Sequence, residues 1–210
     1  MKRTISLLLC AVLLLCLAGC GGCSRAPEVD EIYDRVVELV EDSRRLNAIF
    51  YGVGLPVYDK ESVIYRDVYA DDPSAYTKEY SIVDPRCGLV SVSALKEAAE
   101  KVWTPDLLEK QVYPAAFDGL SASIGSVSSI AAARFQEDGG NLYCLDGVRE
   151  NAPAQLIFDY STMKVVRPSN AMRVILSMDA WEEGKPDARF SYRLTIAKVD
   201  GVWLLDKLTV

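Results

Sequence analysis

The sequence predicts an α+β fold in which N-terminal helices pack on a curved antiparallel sheet. Apolar residues recur at helical spacing in the first half of the chain, whereas from about Ser129 they alternate with a period of two. A run of helices followed by a meander of strands is typical of α+β proteins. The chain has 210 residues and no internal repeat, so one domain, residues 28–210, accounts for its folded part.

The chain opens with a leader typical of exported proteins. Lys2 and Arg3 precede an unbroken apolar run, Ile5 to Leu17, and two small residues then lead to Cys20. The run of 13 residues fits the apolar core of a signal peptide and is shorter than the roughly 20 residues of a membrane-spanning helix. The segment Leu-Ala-Gly-Cys, ending at Cys20, resembles the lipobox of bacterial lipoproteins.

In that family the cysteine thiol receives a diacylglyceryl group and the signal peptide is cut just before it. The resemblance therefore implies a signal peptide at residues 1–19, a lipid on Cys20, and a lipid-anchored tether at residues 20–27 on the extracytoplasmic face of the cell membrane. The alternative is a Cys20–Cys23 redox pair. Such a pair needs a helix N-terminus within a βαβ unit, and no strand precedes it here.

The mature chain is predicted to be strongly acidic. Without Lys2 and Arg3 it has 21 basic and 30 acidic residues, a net charge near −9. This charge repels nucleic acid and anionic lipid headgroups, so the attached lipid is expected to hold the protein to the membrane. The expected partners are the membrane through that lipid and either an envelope protein or a small apolar ligand, with no nucleic acid.

The first predicted element is a helix from about Glu28 to Phe50. Acidic residues crowd its start, and Arg44 and Arg45 lie near its end, which matches the helix dipole. Glycines and a proline after Phe50 are expected to end it. The apolar stripe of this helix consists of Val29, Ile32, Tyr33, Val36 and Val40.

Two short strands and two more helices follow. The strands are expected around residues 63–69 and 76–83. The first helix is predicted to begin at a Ser93 cap, and the second at Thr104, with Pro105 in the first helical position.

Antiparallel strands fill the rest of the chain. Two of them are joined through Asp138-Gly139-Gly140, and the next two are predicted to flank a tight Ser161-Thr162 turn. Alternating apolar residues mark two further strands, from Met172 and from Phe190. Asp200-Gly201 is a two-residue hairpin signal that leads into the last strand.

This order of elements resembles the nuclear transport factor 2-like (cystatin-like) fold, a cone formed by helices and a bent sheet. The C-terminal segment FSYRLTIAKVDGVWLLDKLTV is similar to the last hairpin of that family. The resemblance covers residues 28–210 and departs from the family pattern in the extra residues between Tyr51 and Tyr80. The fold by itself implies no activity.

The sequence provides little for catalysis. Histidine is absent, which removes the commonest general base, the Ser-His and Cys-His pairs, and most zinc sites. No glycine-rich phosphate loop is present, and we predict no catalytic residue, metal site or cofactor. Catalytic members of the family use an Asp or Tyr inside the cone. The residues of these types that we considered are Asp159 with Tyr160, Asp179, and Tyr113 with Asp118.

The leading prediction is a non-catalytic module that binds a ligand or a partner. The cone would supply an apolar pocket lined by Trp103, Tyr113 and Phe117. An enzyme that uses a buried Asp or Tyr in the cone is one alternative. A dimeric envelope assembly protein, paired through the open face of its sheet, is another.

Two cysteines of the predicted domain leave a further alternative open. An extracytoplasmic location would allow Cys87 and Cys144 to form a disulfide. They would otherwise remain two packed free thiols.

Overall fold

The fold was analysed in a computed structural model of the chain. It describes residues 25–58, 63–67, 77–119, 132–145 and 156–209. Its helices and two antiparallel sheets confirm the predicted α+β class. The predicted signal peptide, Cys20 and Cys23 lie outside the described residues. Within the described part, no helix is long and apolar enough to cross a membrane.

Helix α1, Val29–Phe50, is the longest helix of the described chain. Glu28 and Glu31 form a reciprocal capping box at its start, where they satisfy backbone N–H groups that the helix leaves unpaired. One face is buried and the opposite face carries the charges. The buried residues of α1 are Ile32, Val36, Leu39, Val40, Ser43, Leu46, Asn47 and Phe50.

Strands β1, Val63–Asp67, and β2, Thr77–Ile82, follow α1 within the two predicted stretches, and they pair in antiparallel register. After a short 3₁₀ turn, helix α2 spans Val92–Glu100. The predicted cap at Ser93 is wrong. Ser91 is the cap, because its backbone is extended and its hydroxyl accepts the N–H of Ala94 at 3.0 Å.

Helix α3 begins at Pro105 with Thr104 as its cap, as predicted. Only Pro105–Leu107 is α-helical, and the chain continues as π-helical turns at Leu108–Val112 and Pro114–Asp118. Gly119, in the left-handed conformation, ends the segment.

The first sheet has the strand order β1-β2-β4-β3, in which β3 is Phe135–Asp138 and β4 is Asn141–Leu145. Gly139 and Gly140 form the predicted turn between β3 and β4. One face of this sheet joins the main core through Phe135, Leu142 and Cys144. The other face forms a separate buried cluster around Tyr80, Ala132, Tyr143 and Leu145.

The second sheet is the meander β5-β6-β7-β8. Its strands are Leu156–Val166, Arg173–Glu182, Phe190–Val199 and Val202–Leu205. The predicted turn at Ser161-Thr162 is wrong, since one long strand runs through it. The polar residues lie in a bulge of this strand between Asp159 and Lys164. Within the bulge, the Thr162 hydroxyl accepts the N–H of Asp179 at 2.8 Å.

The main core lies between α1 and the meander sheet. Alternate residues of β6 (Val174, Leu176, Met178 and Ala180) point into it, so this face is called the inner face. The segment Val102–Thr104 covers the edge of β8. The Leu205 N–H donates to the Val102 carbonyl at 2.8 Å, and the Thr104 N–H donates to the Leu205 carbonyl at 2.9 Å.

Gly54 lies at a crowded point of the loop after α1, so a substitution there tests the packing around it. Its φ is +78°, and a Cβ there would lie 2.4 Å from the Arg134 Nη2 atom and 3.0 Å from the Cys144 Sγ atom. Gly88 has nearly the same φ, +79°, with nothing within 4 Å of an added Cβ. The two glycines therefore share a backbone conformation and differ in their surroundings.

We expect Gly88→Ala to lower the free energy of unfolding by about 1–2 kcal/mol, the cost of a left-handed alanine. Gly54→Ala should lower it by about 1–3 kcal/mol more, because the methyl group overpacks a buried site. Urea unfolding of both variants, followed by tryptophan fluorescence, measures the difference. Equal losses would contradict the close packing of Gly54 against Arg134.

Candidate functional site

The predicted ligand-binding residues lie in or against the main core, where Phe50 links Trp103 to the other two. Trp103 is fully buried, and its ring centroid lies 5.9 Å from that of Phe50. The rings of Tyr113 and Phe117 are 5.7 Å apart, and Phe117 meets Phe50 edge-on at 6.1 Å. These side chains occupy the space that an apolar ligand would need.

Polar side chains of α2 cover the outer edge of this aromatic group. The Lys96 Nζ atom lies 4.8 Å above the ring of Tyr113 and 5.3 Å from the ring centroid of Phe117, within cation–π range. The Tyr113 hydroxyl donates to Glu100 at 3.2 Å. Burial, followed by the neighbouring Glu100 carboxylate, raises the pKa of Tyr113 above its ordinary value.

The residues considered for catalysis are held in structural contacts. Asp159 accepts hydrogen bonds from Ser161 and from Arg189, which lies 3.1 Å away, and these contacts lower the pKa of its carboxyl group. Asp159 is therefore ionised at neutral pH and is no proton donor there. The Tyr160 hydroxyl donates to Glu41 at 2.6 Å, and burial followed by Glu41 raises the pKa of the hydroxyl.

Two further residues were considered for catalysis, Asp179 and Asp118. Asp179 faces Asp159 across the strand pair β5–β6. Asp118 ends the π-helical segment. Among the described residues, no group of three or more Cys, Asp and Glu side chains could hold a metal ion.

Cys87 and Cys144 are not joined to each other in the structure. Cys144 is fully buried in β4 and joins the main core. Cys87 is half-buried in the 3₁₀ turn, and its Sγ atom contacts the Leu89 carbonyl at 3.6 Å. The disulfide that the sequence left open is not formed here.

A surface groove is the strongest candidate for a site. Its volume is about 620 Å³, within the range of about 300–1,000 Å³ that ligand pockets span. It lies between α1, the junction of α2 with α3, and the β7–β8 hairpin. The residues that line it are Arg35, Glu38, Asp42, Glu100, Lys101, Pro105, Val199, Asp200, Val202 and Leu204.

Arg35 joins the three walls of the groove. Its Nε atom donates to the Trp203 carbonyl at 3.1 Å and its Nη2 atom to the Lys101 carbonyl at 2.9 Å. Its Nη1 atom donates to the Glu38 carboxylate at 2.7 Å. Each of the three guanidinium nitrogens therefore makes one hydrogen bond within the wall, and the Glu38 carboxylate pairs with the positive charge.

The groove lies at the end of the molecule where α1 begins. Arg35 contacts Trp203 near the start of β8, whereas Asn47, further along α1, donates to the Thr209 hydroxyl at 3.0 Å. Helix α1 and the C-terminal segment therefore run in the same direction. Arg35 lies six residues after Val29, about 9 Å along the helix axis.

Comparison with known proteins assigns no family. No protein-family model matches this chain, and no curated protein matches it.

Sequence reasoning missed the groove residues. The only hint was the spacing of Arg35, Glu38 and Asp42, which places their side chains on one face of α1. A charged helix face of this kind is usually exposed to solvent and has no binding role. That Lys101 and Val202 lie beside it depends on contacts between elements far apart in the chain, which no local pattern reveals.

Arg35 supplies a test of how the groove is built. In Arg35→Lys a single ammonium group replaces a fork that holds two backbone carbonyls and a carboxylate. We expect the free energy of unfolding to fall by about 1–2 kcal/mol, with faster amide exchange around Val102 and Leu205. Arg45→Lys is the matched control, since Arg45 is 76% exposed and contacts only Asp42. If both variants lose the same stability, Arg35 does not join the walls.

Proposed function

We propose that the protein is an extracytoplasmic lipoprotein, anchored by a lipid on Cys20, that acts as a non-catalytic binding module through the groove. The observation that carries this proposal is the leader with its Leu-Ala-Gly-Cys segment, followed so soon by folded chain. Helix α1 begins nine residues after Cys20. A fully extended tether of that length reaches at most about 30 Å, so the domain would stay close to the bilayer.

The groove supports binding better than it supports chemistry. None of its lining residues carries a hydroxyl or thiol group, so covalent catalysis there would fall to Lys101 or to a carboxylate. Its carboxylates are exposed or already paired, as Glu38 is with Arg35 and Asp42 with Arg45.

We further propose that the domain belongs to the nuclear transport factor 2-like folds. A long N-terminal helix packs on the inner face of a four-stranded meander, which supports this assignment. The last hairpin turns at Asp200 and Gly201, both with positive φ, as the predicted two-residue turn requires. The first sheet, β1–β4, is an addition to that pattern.

The anchoring part of the proposal is tested at the cysteine. Cys20→Ser should abolish the mass of the diacylglyceryl group and release the protein from the membrane fraction, because the acidic surface does not hold it there. Cys23→Ser, three residues further on, should keep both the lipid and the location. Mass spectrometry of the native chain and membrane fractionation measure the two outcomes. An unacylated Cys20 with its leader still attached would sink the proposal.

A second candidate function is assembly as a homodimer through the outer face of the meander sheet. The observation in its favour is a set of apolar side chains on that face, Ile157, Val166, Ile175 and Trp181, which lie outside the main core and are only half-buried. Two of the charges on the same face are paired, Arg173 with Asp206 at 2.9 Å and Asp159 with Arg189 at 3.1 Å. A face of this kind resists association less than the acidic surface of α1 does.

Sedimentation of the chain from Ser24 onward, at micromolar concentration, tests this second candidate. A dimer is expected, and Ile175→Lys should dissociate it because the substitution puts a like charge on both facing sheets. Val90→Lys, at a 45% exposed valine away from the sheet, is the control that should leave the dimer intact. A strictly monomeric chain counts against assembly through this face.

A further inference from the structure

The floor of the groove is apolar and open to solvent. Val202 is 51% exposed, although it lies in a strand, and Val199 pairs with it across the β7–β8 hairpin. The exposed Pro105 continues this surface towards the start of α3, and the largely buried Leu204 also lines the groove. A polypeptide segment with alternating side chains could bury one row of apolar groups on such a floor.

The rim of the groove is acidic. Glu38, Asp42, Glu100 and Asp200 supply four carboxylates, against Arg35 and Lys101 as the two cations. Arg35 keeps its charge, but three of its five N–H groups are used within the wall, one of them on Glu38. Each carboxylate of the rim retains acceptor capacity, because a carboxylate can accept about four hydrogen bonds and none of these has more than one described donor.

Charge complementarity therefore selects the occupant. An anionic ligand or an anionic lipid surface meets net repulsion at this rim, whereas a row of Lys or Arg side chains meets attraction. The apolar floor in turn requires that the same segment also carry apolar side chains. An occupant that satisfies both conditions is cationic and amphipathic.

The position of the groove limits which proteins could supply that segment. The groove lies about 9 Å along α1 from the point where the tether enters the domain. If the tether is anchored at Cys20, the groove stays within a few tens of ångströms of the bilayer. We infer that the groove binds a cationic, amphipathic segment of an envelope protein close to the membrane surface. This inference rests on the proposed anchoring.

The experiment uses the full, lipidated chain in nanodiscs of neutral phosphatidylcholine. The probe is a short fluorescent peptide of alternating Lys and Val, compared with Glu-Val and Lys-Ser peptides of the same length. Fluorescence anisotropy should show that the Lys-Val peptide binds, that the Lys-Ser peptide binds more weakly, and that the Glu-Val peptide does not bind. The affinity of the Lys-Val peptide should fall as salt is raised, because exposed charges are screened.

Paired substitutions locate the binding. The variant Glu38→Gln with Asp42→Asn should weaken the binding of the Lys-Val peptide about tenfold. The variant Glu183→Gln with Asp187→Asn changes the net charge equally on the exposed β6–β7 turn and should leave the affinity unchanged. Val202→Ser should weaken binding several-fold, whereas Val53→Ser, at a valine that is 57% exposed elsewhere, should not. Urea unfolding of each variant verifies that it is folded.

Three results overturn the inference. One is equal affinity of the Lys-Val peptide for the wild type and for the Glu38, Asp42 and Val202 variants. Another is binding of the chain to anionic phosphatidylglycerol vesicles that is lost with those same variants, since the membrane itself would then be the occupant. The third is self-association that these variants abolish, which would make a second copy the occupant. The lipid mass on Cys20, measured on the same samples, separates these results from a failure of the anchoring.

Discussion

Burial of one face of helix α1 against the inner face of the meander sheet is the interaction on which the rest of the structure depends. Six large apolar residues of the helix are buried in the main core, each contributing about 1.5–3 kcal/mol by leaving water. They are Ile32, Val36, Leu39, Val40, Leu46 and Phe50. Polar contacts define the two ends of the interface. Arg35 binds the start of β8, and Ser43 and Asn47 bind the Thr209 hydroxyl near the C-terminus.

The same packing brings the candidate site and the predicted tether to one end of the molecule. Because α1 runs in the same direction as β8, its first turns lie beside the β7–β8 hairpin, and the groove opens between them. If the chain is anchored at Cys20 as proposed, the helix that receives the tether also forms one wall of the groove, and the groove stays near the membrane.

The aromatic residues show why a pocket is hard to infer from a sequence. Aromatic residues such as Trp103, Tyr113 and Phe117 are typical of the lining of a ligand pocket. They are equally typical of a packed core, so residue type alone cannot distinguish the two. Phe50 and Phe135, which arrive from α1 and β3, fill the space between these rings. The groove is the reverse case, since its charged residues have the composition of an ordinary solvated surface. Only the proximity of Lys101, Val202 and α1 makes it concave.

The sequence by itself determined the features that depend on local spacing and on single residue types. The α+β class, the extent of α1, the Thr104 cap and the Asp200-Gly201 hairpin follow from periodicity, capping chemistry and the tolerance of particular residues for positive φ. The tertiary structure decided the cap at Ser91, the bulge through Ser161-Thr162 and the location of the groove. In each of these cases several local arrangements have similar energies. Contacts with residues distant in the chain determine which arrangement forms.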